Sequence, residues 1–317
     1  MEIMKAVLYN KKGSPEKLSL YEIDKPVPGE NDVLIRVHVV SLNAADYRSM
    51  KMGLIPKRKI FGADVAGSIE SVGKNCSIFK PGDEVMGDLA NFGFGGLAEY
   101  VTAPERALVL KPKQVSFEAA ATLPLAAITA LQALRDKGNI QKGQKVLIVG
   151  SAGSVGPFAV QIAKYYGAEV TGICSPRNMD QTLSIGADYV IDYTKEDFLK
   201  RNERYNLILG INGNYPLSGY RRILTPNGTY VMVGGSLSQI FKSLLFGWLL
   251  SFGSKKMKSV AAKPNKQDLE FLVSLLENGN IKPVIERRYS LDKSAEAMNY
   301  LSRGHSSGKV IINVVSK

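Results

Sequence analysis

Cysteine and histidine are almost missing from this chain of 317 residues, which has two of each and one tryptophan. Cys76 and Cys174 lie far apart in apolar surroundings, which argues against a disulfide framework. With His38 and His305 as the only histidines, a cysteine-rich structural zinc site cannot be assembled. No uninterrupted apolar run reaches about 18 residues, so no transmembrane helix is expected. The opening MEIMKAVLYNKKG lacks the apolar core of a signal peptide, and a reducing interior, cytoplasmic or organellar, is the plain expectation. Repeats and low-complexity segments are missing too.

Charge of one sign is not missing: the net charge is +12. The lysines are scattered, however, and the densest group is Lys255, Lys256 and Lys258. No zinc-finger, RNA-recognition or helix-turn-helix pattern accompanies them, so nucleic acid is not an expected partner. The charge reads as a solvated surface, with part of it serving an anionic cofactor.

What is present is an ordinary globular composition, 45% hydrophobic and 22% charged, long enough for two domains. The first 120 or so residues read as β-rich: KAVLYN, KLSLYEI and DVLIRVHVVSL are strand candidates divided by Pro and Gly turns. From Phe117 an alanine- and leucine-rich helical stretch begins, broken by Pro124 and closed by Gly138. Beyond it strands and helices alternate to about residue 263, with EDFLKRNE among the expected helices. Helix NKQDLEFLVSLLENGNI, strand ERRYSL, helix DKSAEAMNYLSRG and strand KVIINVV then complete the chain. The fold expected is α/β: a doubly wound parallel sheet over 120–263, and a discontinuous β-rich domain of 1–119 plus 264–317.

The stretch with most chemistry is GQKVLIVGSAGSVGPFAVQIAKYYGAEVTGICSPRN, residues 143–178. Lys145–Val149 is a short β-branched run suited to a strand buried on both faces. It enters a turn carrying Gly150, Gly153 and Gly156, then a helix closing at Gly167, then a second strand. One βαβ unit with such a turn aims backbone N–H groups at an anion over the helix N-terminus, most simply a dinucleotide pyrophosphate. NAD-preferring sites usually end the second strand in a carboxylate that binds the ribose 2′-hydroxyl. Here that region reads Cys174-Ser175-Pro176-Arg177-Asn178. A hydroxyl, a guanidinium and an amide suit a 2′-phosphate, so NADPH is the expected cofactor.

The chain resembles the medium-chain dehydrogenase/reductase superfamily, in its zinc-free quinone oxidoreductase (zeta-crystallin-like) branch. The resemblance runs from Lys5 to Val315 through SLNAADYRSM, FGADVAGSIESVG, FKPGDEVMG, GGLAEYV, ATLPLAAITALQAL and GKVIINV. It implies a Rossmann domain with a GroES-like catalytic domain. Ser154 departs from it where glycine is usual; serine fits there unless the turn needs a positive φ. Zinc alcohol dehydrogenases of the superfamily carry a Cys and a His in the two N-terminal landmarks, where this chain has Asn43 and Ala63. Neither side chain can supply a thiolate or an imidazole, so no metal is expected. Without a Lewis acid, the acceptors that take hydride readily are quinones and C=C bonds conjugated to a carbonyl. An enoyl-thioester reductase is the enzymatic alternative, and a non-catalytic NADPH-binding scaffold the alternative of another class.

Candidate catalytic residues follow from the same landmarks. Asn43 is the first choice for a polar group beside nicotinamide and substrate carbonyl, against a capping asparagine. Asp46 matches an acid that organises the turn, and Tyr47 is either a proton or hydrogen-bond donor or a packing residue. The resemblance places Thr129 near the nicotinamide, Tyr193 beside the adenosine and Lys309 near the cofactor phosphate, a surface lysine being the alternative for the last. Gly153, Val155 and Gly156 are expected at the pyrophosphate, Ser175, Arg177 and Asn178 at the 2′-phosphate, and Gly234 where backbone approaches the cofactor. His38, His305 and Cys174 read as structural. Ile240–Phe252, IFKSLLFGWLLSF, is apolar but too short to span a bilayer. A buried helix, a subunit interface or the substrate cleft is the plain reading. The sharper one is an entrance for lipophilic acceptors resting on a membrane, with Lys255, Lys256 and Lys258 at the lipid surface. A homodimer paired through KKMKSVAAK is what the family suggests.

Overall fold

The computed structural model describes residues 2–10, 15–212, 215–234 and 253–315. Ile240–Phe252 therefore lies outside the described residues. These divide into two compact units: 1–125 with 264–278 and 283–317, and 126–263 with 279–282. The first break falls at Leu125, where the sequence suggested 119, because Phe117–Ala121 belongs with the β-rich unit and Pro124 separates it from helix Ala126–Gln132.

The nucleotide-type unit is one parallel sheet of Tyr189–Asp192, Glu169–Cys174, Lys145–Val149, Tyr205–Gly210, Leu224–Met232 and Lys256–Ser259, in that spatial order. Numbered along the chain the order is 3-2-1-4-5-6, the doubly wound arrangement with its switch point between Lys145–Val149 and Tyr205–Gly210. Both central strands are buried and β-branched or leucine-rich, as a sheet covered on two faces requires. Helix Gly156–Tyr165, with Pro157 in its first turn, crosses from the first strand to Glu169–Cys174. EDFLKRNE does not form the expected helix. Asp197 caps the Leu199 N–H, only Phe198–Lys200 turns, and Arg201 goes extended with its guanidinium between Glu196 and Glu203.

In the β-rich unit the organising strand is Asp32–Leu42. One of its edges is shared, with Tyr100–Pro104 along the first half and Lys309–Asn313 along the second. Asp64–Val72 takes the other edge, followed by Glu84–Asp88 and Leu108–Leu110. The tail thus completes the N-terminal sheet, with Ile285–Ser290 parallel to Lys309–Asn313 and helix Ser294–Ser302 joining them. Helix Ala44–Lys51, which the sequence reading left without an assignment, follows the organising strand directly.

Candidate functional site

Each unit carries one half of the expected chemistry. In the nucleotide-type unit the half is made of backbone. Strand Lys145–Val149 ends at Gly150, whose φ of +89° and closeness to Asn212 (3.0 Å from an added Cβ) leave room for glycine alone. Asn212 and Ile211 both donate to the Val149 carbonyl, so the chain after the fourth strand folds over the end of the first. Gly156 is equally constrained: a Cβ there would lie 2.3 Å from the Gly150 carbonyl oxygen. That contact seats the start of helix Gly156–Tyr165 on the turn, and Val155 forms its N-cap. Gly234, beyond the fifth strand, closes the same C-terminal rim, where an added Cβ would lie 2.8 Å from the Ile211 carbonyl oxygen.

Gly153 is different. It does not take a positive φ, and the nearest atom to an added Cβ is 4.0 Å away. Nothing within the protein demands glycine there, which fits a backbone that a ligand approaches closely. Ser154 takes no positive φ either, so serine is compatible with the unaltered turn. The Gly150 and Ser151 N–H groups are spent on the Ile173 carbonyl, and Ser151 Oγ is buried against Ile173 and Thr182. What remains to face an anion is the turn after Ser151 and the first turn of the helix.

Ser175, Arg177 and Asn178 stand next to this turn, where strand Glu169–Cys174 leaves the sheet. Asn178 is buried and bonds Ser175 through backbone (3.0 Å) and side chain (3.2 Å), which makes a tight shelf. Arg177 is exposed on that shelf. Tyr193 is also exposed, and its N–H reaches the Cys174 carbonyl at 3.4 Å, so it flanks the same strand end. Thr129 sits in a wholly buried helix, Ala126–Gln132. The glycine turn, the shelf, Tyr193 and Gly234 are thus brought to one rim of the sheet, and they fit a dinucleotide. Such a group would contribute hydride chemistry when bound.

In the β-rich unit the half is made of buried side chains. Asp46 Oδ2 accepts from the Asn43 N–H at 2.8 Å, the N-terminal capping pattern of helix Ala44–Lys51, and Oδ1 accepts from Gly62 at 3.2 Å. Asp46 is fully buried, and burial pushes its carboxyl up to about 6 against those two bonds. The Asn43 amide is also buried. Its Nδ2 donates to Asp64 Oδ2 (2.9 Å) and the Ser41 carbonyl (3.3 Å), and its Oδ1 accepts from Lys309 Nζ at 2.6 Å. Both amide hydrogens are therefore committed inside the protein. Tyr47 is half-buried against the core with Arg48 near its ring. Ala63 is fully buried one residue before Asp64.

Lys309 overturns the surface alternative, being 1% exposed. Gly308, at φ +137° and with an added Cβ only 2.5 Å from the Val284 carbonyl oxygen, turns the chain so that the strand starts inward, and the register Val310 to Leu42 brings Lys309 beside Asn43. The sequence reading missed Asp64 and Asp88. They face each other across antiparallel strands, a repulsive pairing, and burial pushes both carboxyls up. Their signal was acid inside apolar strand sequence, FGADVAG and GDEVMGD. Of the predicted residues, Asn43, Asp46 and Lys309 are brought together in this cluster. His38 stacks on Phe117 and bonds Ser68, a structural role. Among the described residues no group of three or more His, Cys, Asp or Glu is arranged to hold a metal ion.

The fold and the glycine rim define a nucleotide-binding α/β oxidoreductase. Residues 29–113 match the family described as Alcohol dehydrogenase GroES-like domain, and 185–312 the family described as Zinc-binding dehydrogenase. A chloroplast envelope quinone oxidoreductase homolog of Arabidopsis thaliana is 32% identical over 98% of this chain and 98% of its own length. A 2-methylene-furan-3-one reductase of Solanum lycopersicum is 33% identical over 98% of this chain and 79% of its own. The solved quinone oxidoreductase of Coxiella burnetii superposes with a TM-score of 0.89 at 28% identity, covering 99% of this chain and 100% of the other. The chain belongs to the medium-chain dehydrogenase/reductase superfamily, in its quinone oxidoreductase branch, and is an oxidoreductase that uses a nicotinamide cofactor.

Proposed function

We propose that the protein is an NADPH-dependent, zinc-independent reductase of quinones or of C=C bonds conjugated to a carbonyl. The observation that carries this reading is the pair of residues at the zinc-ligand landmarks, Asn43 and Ala63. One is an amide locked into a hydrogen-bonded network and the other a buried methyl group. The printed activities of the relatives support the acceptor classes: quinone oxidoreductases, a furanone reductase and an Arabidopsis thaliana alkenal/one oxidoreductase described as NADPH-dependent. Ser175, Arg177 and Asn178, with no carboxylate among them, support NADPH over NADH.

The roles divide between the units. NADPH, when bound, supplies the hydride. The turn from Ala152 to Gly156 binds the pyrophosphate and orients the nucleotide, and the Arg177 shelf binds the 2′-phosphate. Tyr47 donates to the oxygen that gains negative charge in the acceptor, with the Asn43–Lys309 network buried behind the helix that carries it. Positioning supplies most of the catalysis in this scheme. Edge strand Lys256–Ser259 supports a homodimer paired through that edge. Two free cysteines support a reducing compartment such as the cytosol. Peripheral membrane contact receives less support, because Lys255 and Lys258 direct their ammonium groups to the Arg221 and Lys137 carbonyls.

Steady-state NADPH oxidation against a quinone panel, a 2-alkenal panel and an enoyl-thioester panel tests the proposal. Turnover of quinones or alkenals is expected. Turnover confined to thioesters, or tight NADPH binding without turnover, would overturn it.

A further inference from the structure

Three strands and one helix deliver four charged side chains to one dry place in the β-rich unit. Asp64 and Lys309 are at most 1% exposed, Asp46 is fully buried and Asp88 is 7% exposed. Asp46 is satisfied by two backbone N–H groups, and Asp88 Oδ1 accepts from Ala90. Asp64 Oδ2 accepts from Asn43 and from Leu125, whereas Asp64 Oδ1 and the cross-strand Ser41 Oγ are buried without a hydrogen-bond partner among the described residues. Three carboxylates packed this way repel one another, and among the described residues one positive group stands against them. That group is Lys309, 2.6 Å from Asn43 Oδ1 and 3.9 Å from Asp64 Oδ2. The Asn43 amide is thereby clamped between an ammonium on one side and a carboxylate on the other.

We infer that Lys309 is a positioning residue for hydride transfer: its ammonium is the built-in cation of this cluster, fixing Asn43 and the start of the helix that carries Tyr47. The inference rests on the reductase reading for its kinetic tests. It differs from a lysine that contacts the cofactor phosphate, because the polar partners of Lys309 Nζ among the described residues are side chains of the cluster, Asn43 and Asp64.

The test begins with the wild-type rate on whichever acceptor panel is turned over; a wild-type rate of zero sinks the reductase reading and leaves the cation assignment to the melting experiment below. Lys309→Met should lower kcat about 100-fold, the scale of a misplaced catalytic group, with the NADPH KM moved less than about threefold. An unchanged kcat, or a raised NADPH KM with kcat intact, would overturn the inference. In Lys309→Ala, propylammonium chloride should restore part of kcat and raise Tm by several degrees by binding the folded state, while 1-propanol does neither and the wild type responds to neither. Equal responses to both additives would count against a cation site.

Asp64→Asn keeps shape and removes one buried charge, so it covers the case in which the lysine variants do not fold. The groups facing Lys309 are Asp64, Asp46 and Asp88, each of which favours the ammonium against burial. Losing the Asp64 charge should move the alkaline fall in kcat toward neutral by about one pH unit or more. An unmoved alkaline limb would contradict the inference.

Discussion

The two units build their candidate groups from opposite materials. The nucleotide half uses backbone and the absence of side chains: Gly150, Gly156 and Gly234 are fixed by contacts inside the protein, and Gly153 alone has open space above it. The other half uses buried charge, with Asp46, Asp64, Asp88, Asn43 and Lys309 holding one another. A backbone cradle tolerates many side chains around it but no Cβ at its contact points. A charge cluster tolerates changes of shape poorly and changes of protonation worse, because each group is compensated only by its neighbours.

The comparison breaks most readily at Gly156. Gly156→Ala forces a Cβ to within 2.3 Å of the Gly150 carbonyl oxygen and should cost about 3 kcal/mol, the upper end for overpacking, with nucleotide binding lost; urea unfolding and NADPH titration measure both. An effect of similar size but driven by pH belongs to Asp46. Burial pushes its folded carboxyl up to about 6, above the ordinary value of 3.8, so the folded state holds the extra proton. The stability this gives is present below the unfolded pKa and is lost as pH rises through about 6. Wild-type stability should therefore fall by about 3 kcal/mol relative to Asp46→Asn between pH 4 and 7, an order-of-magnitude figure. A difference that grows with pH would contradict the burial account.

Arg177→Ala should raise the NADPH KM about tenfold or more, as for loss of a charge-assisted bond, and leave that for NADH nearly unchanged. Equal effects on both cofactors would remove the 2′-phosphate assignment. Gly153→Ala makes the sharpest distinction at the smallest scale. With no positive φ and no contact, its stability should stay within about 0.5 kcal/mol of wild type, while NADPH binding weakens about tenfold. If binding is unaffected, the space above Gly153 is not where the ligand lies.

The sequence displayed these halves unequally, for physical reasons. The glycine turn was legible because strand, turn and helix are contiguous, although the Asn212 contact that requires glycine at 150 comes from beyond the fourth strand. The sheet alternation was legible for the same reason, and the tail strand was recognised as returning to the β-rich unit. EDFLKRNE misled because its charges suit a helix surface, while Asp197 and Arg201 found local partners that favour a turn. The charge cluster was largely hidden. Asn43 and Lys309 are 266 positions apart, and only strand register makes them neighbours. A lone Asp in FGADVAG carries no mark of its partners, and Lys309 read as a phosphate or surface lysine until its burial was seen. Landmark comparison identified Asn43 as important, but whether its amide points outward or is clamped inward is a property of the fold.

In the proposed function hydride moves without a metal ion, the backbone cradle holding the nucleotide and the buried lysine standing in place of an external cation. The most direct measurement is kcat for NADPH-dependent reduction of a quinone or alkenal before and after exhaustive chelation, with metal content determined on the same samples. The account predicts unchanged turnover in metal-free protein and no gain on adding zinc. Turnover lost with the metal and restored by zinc would contradict it.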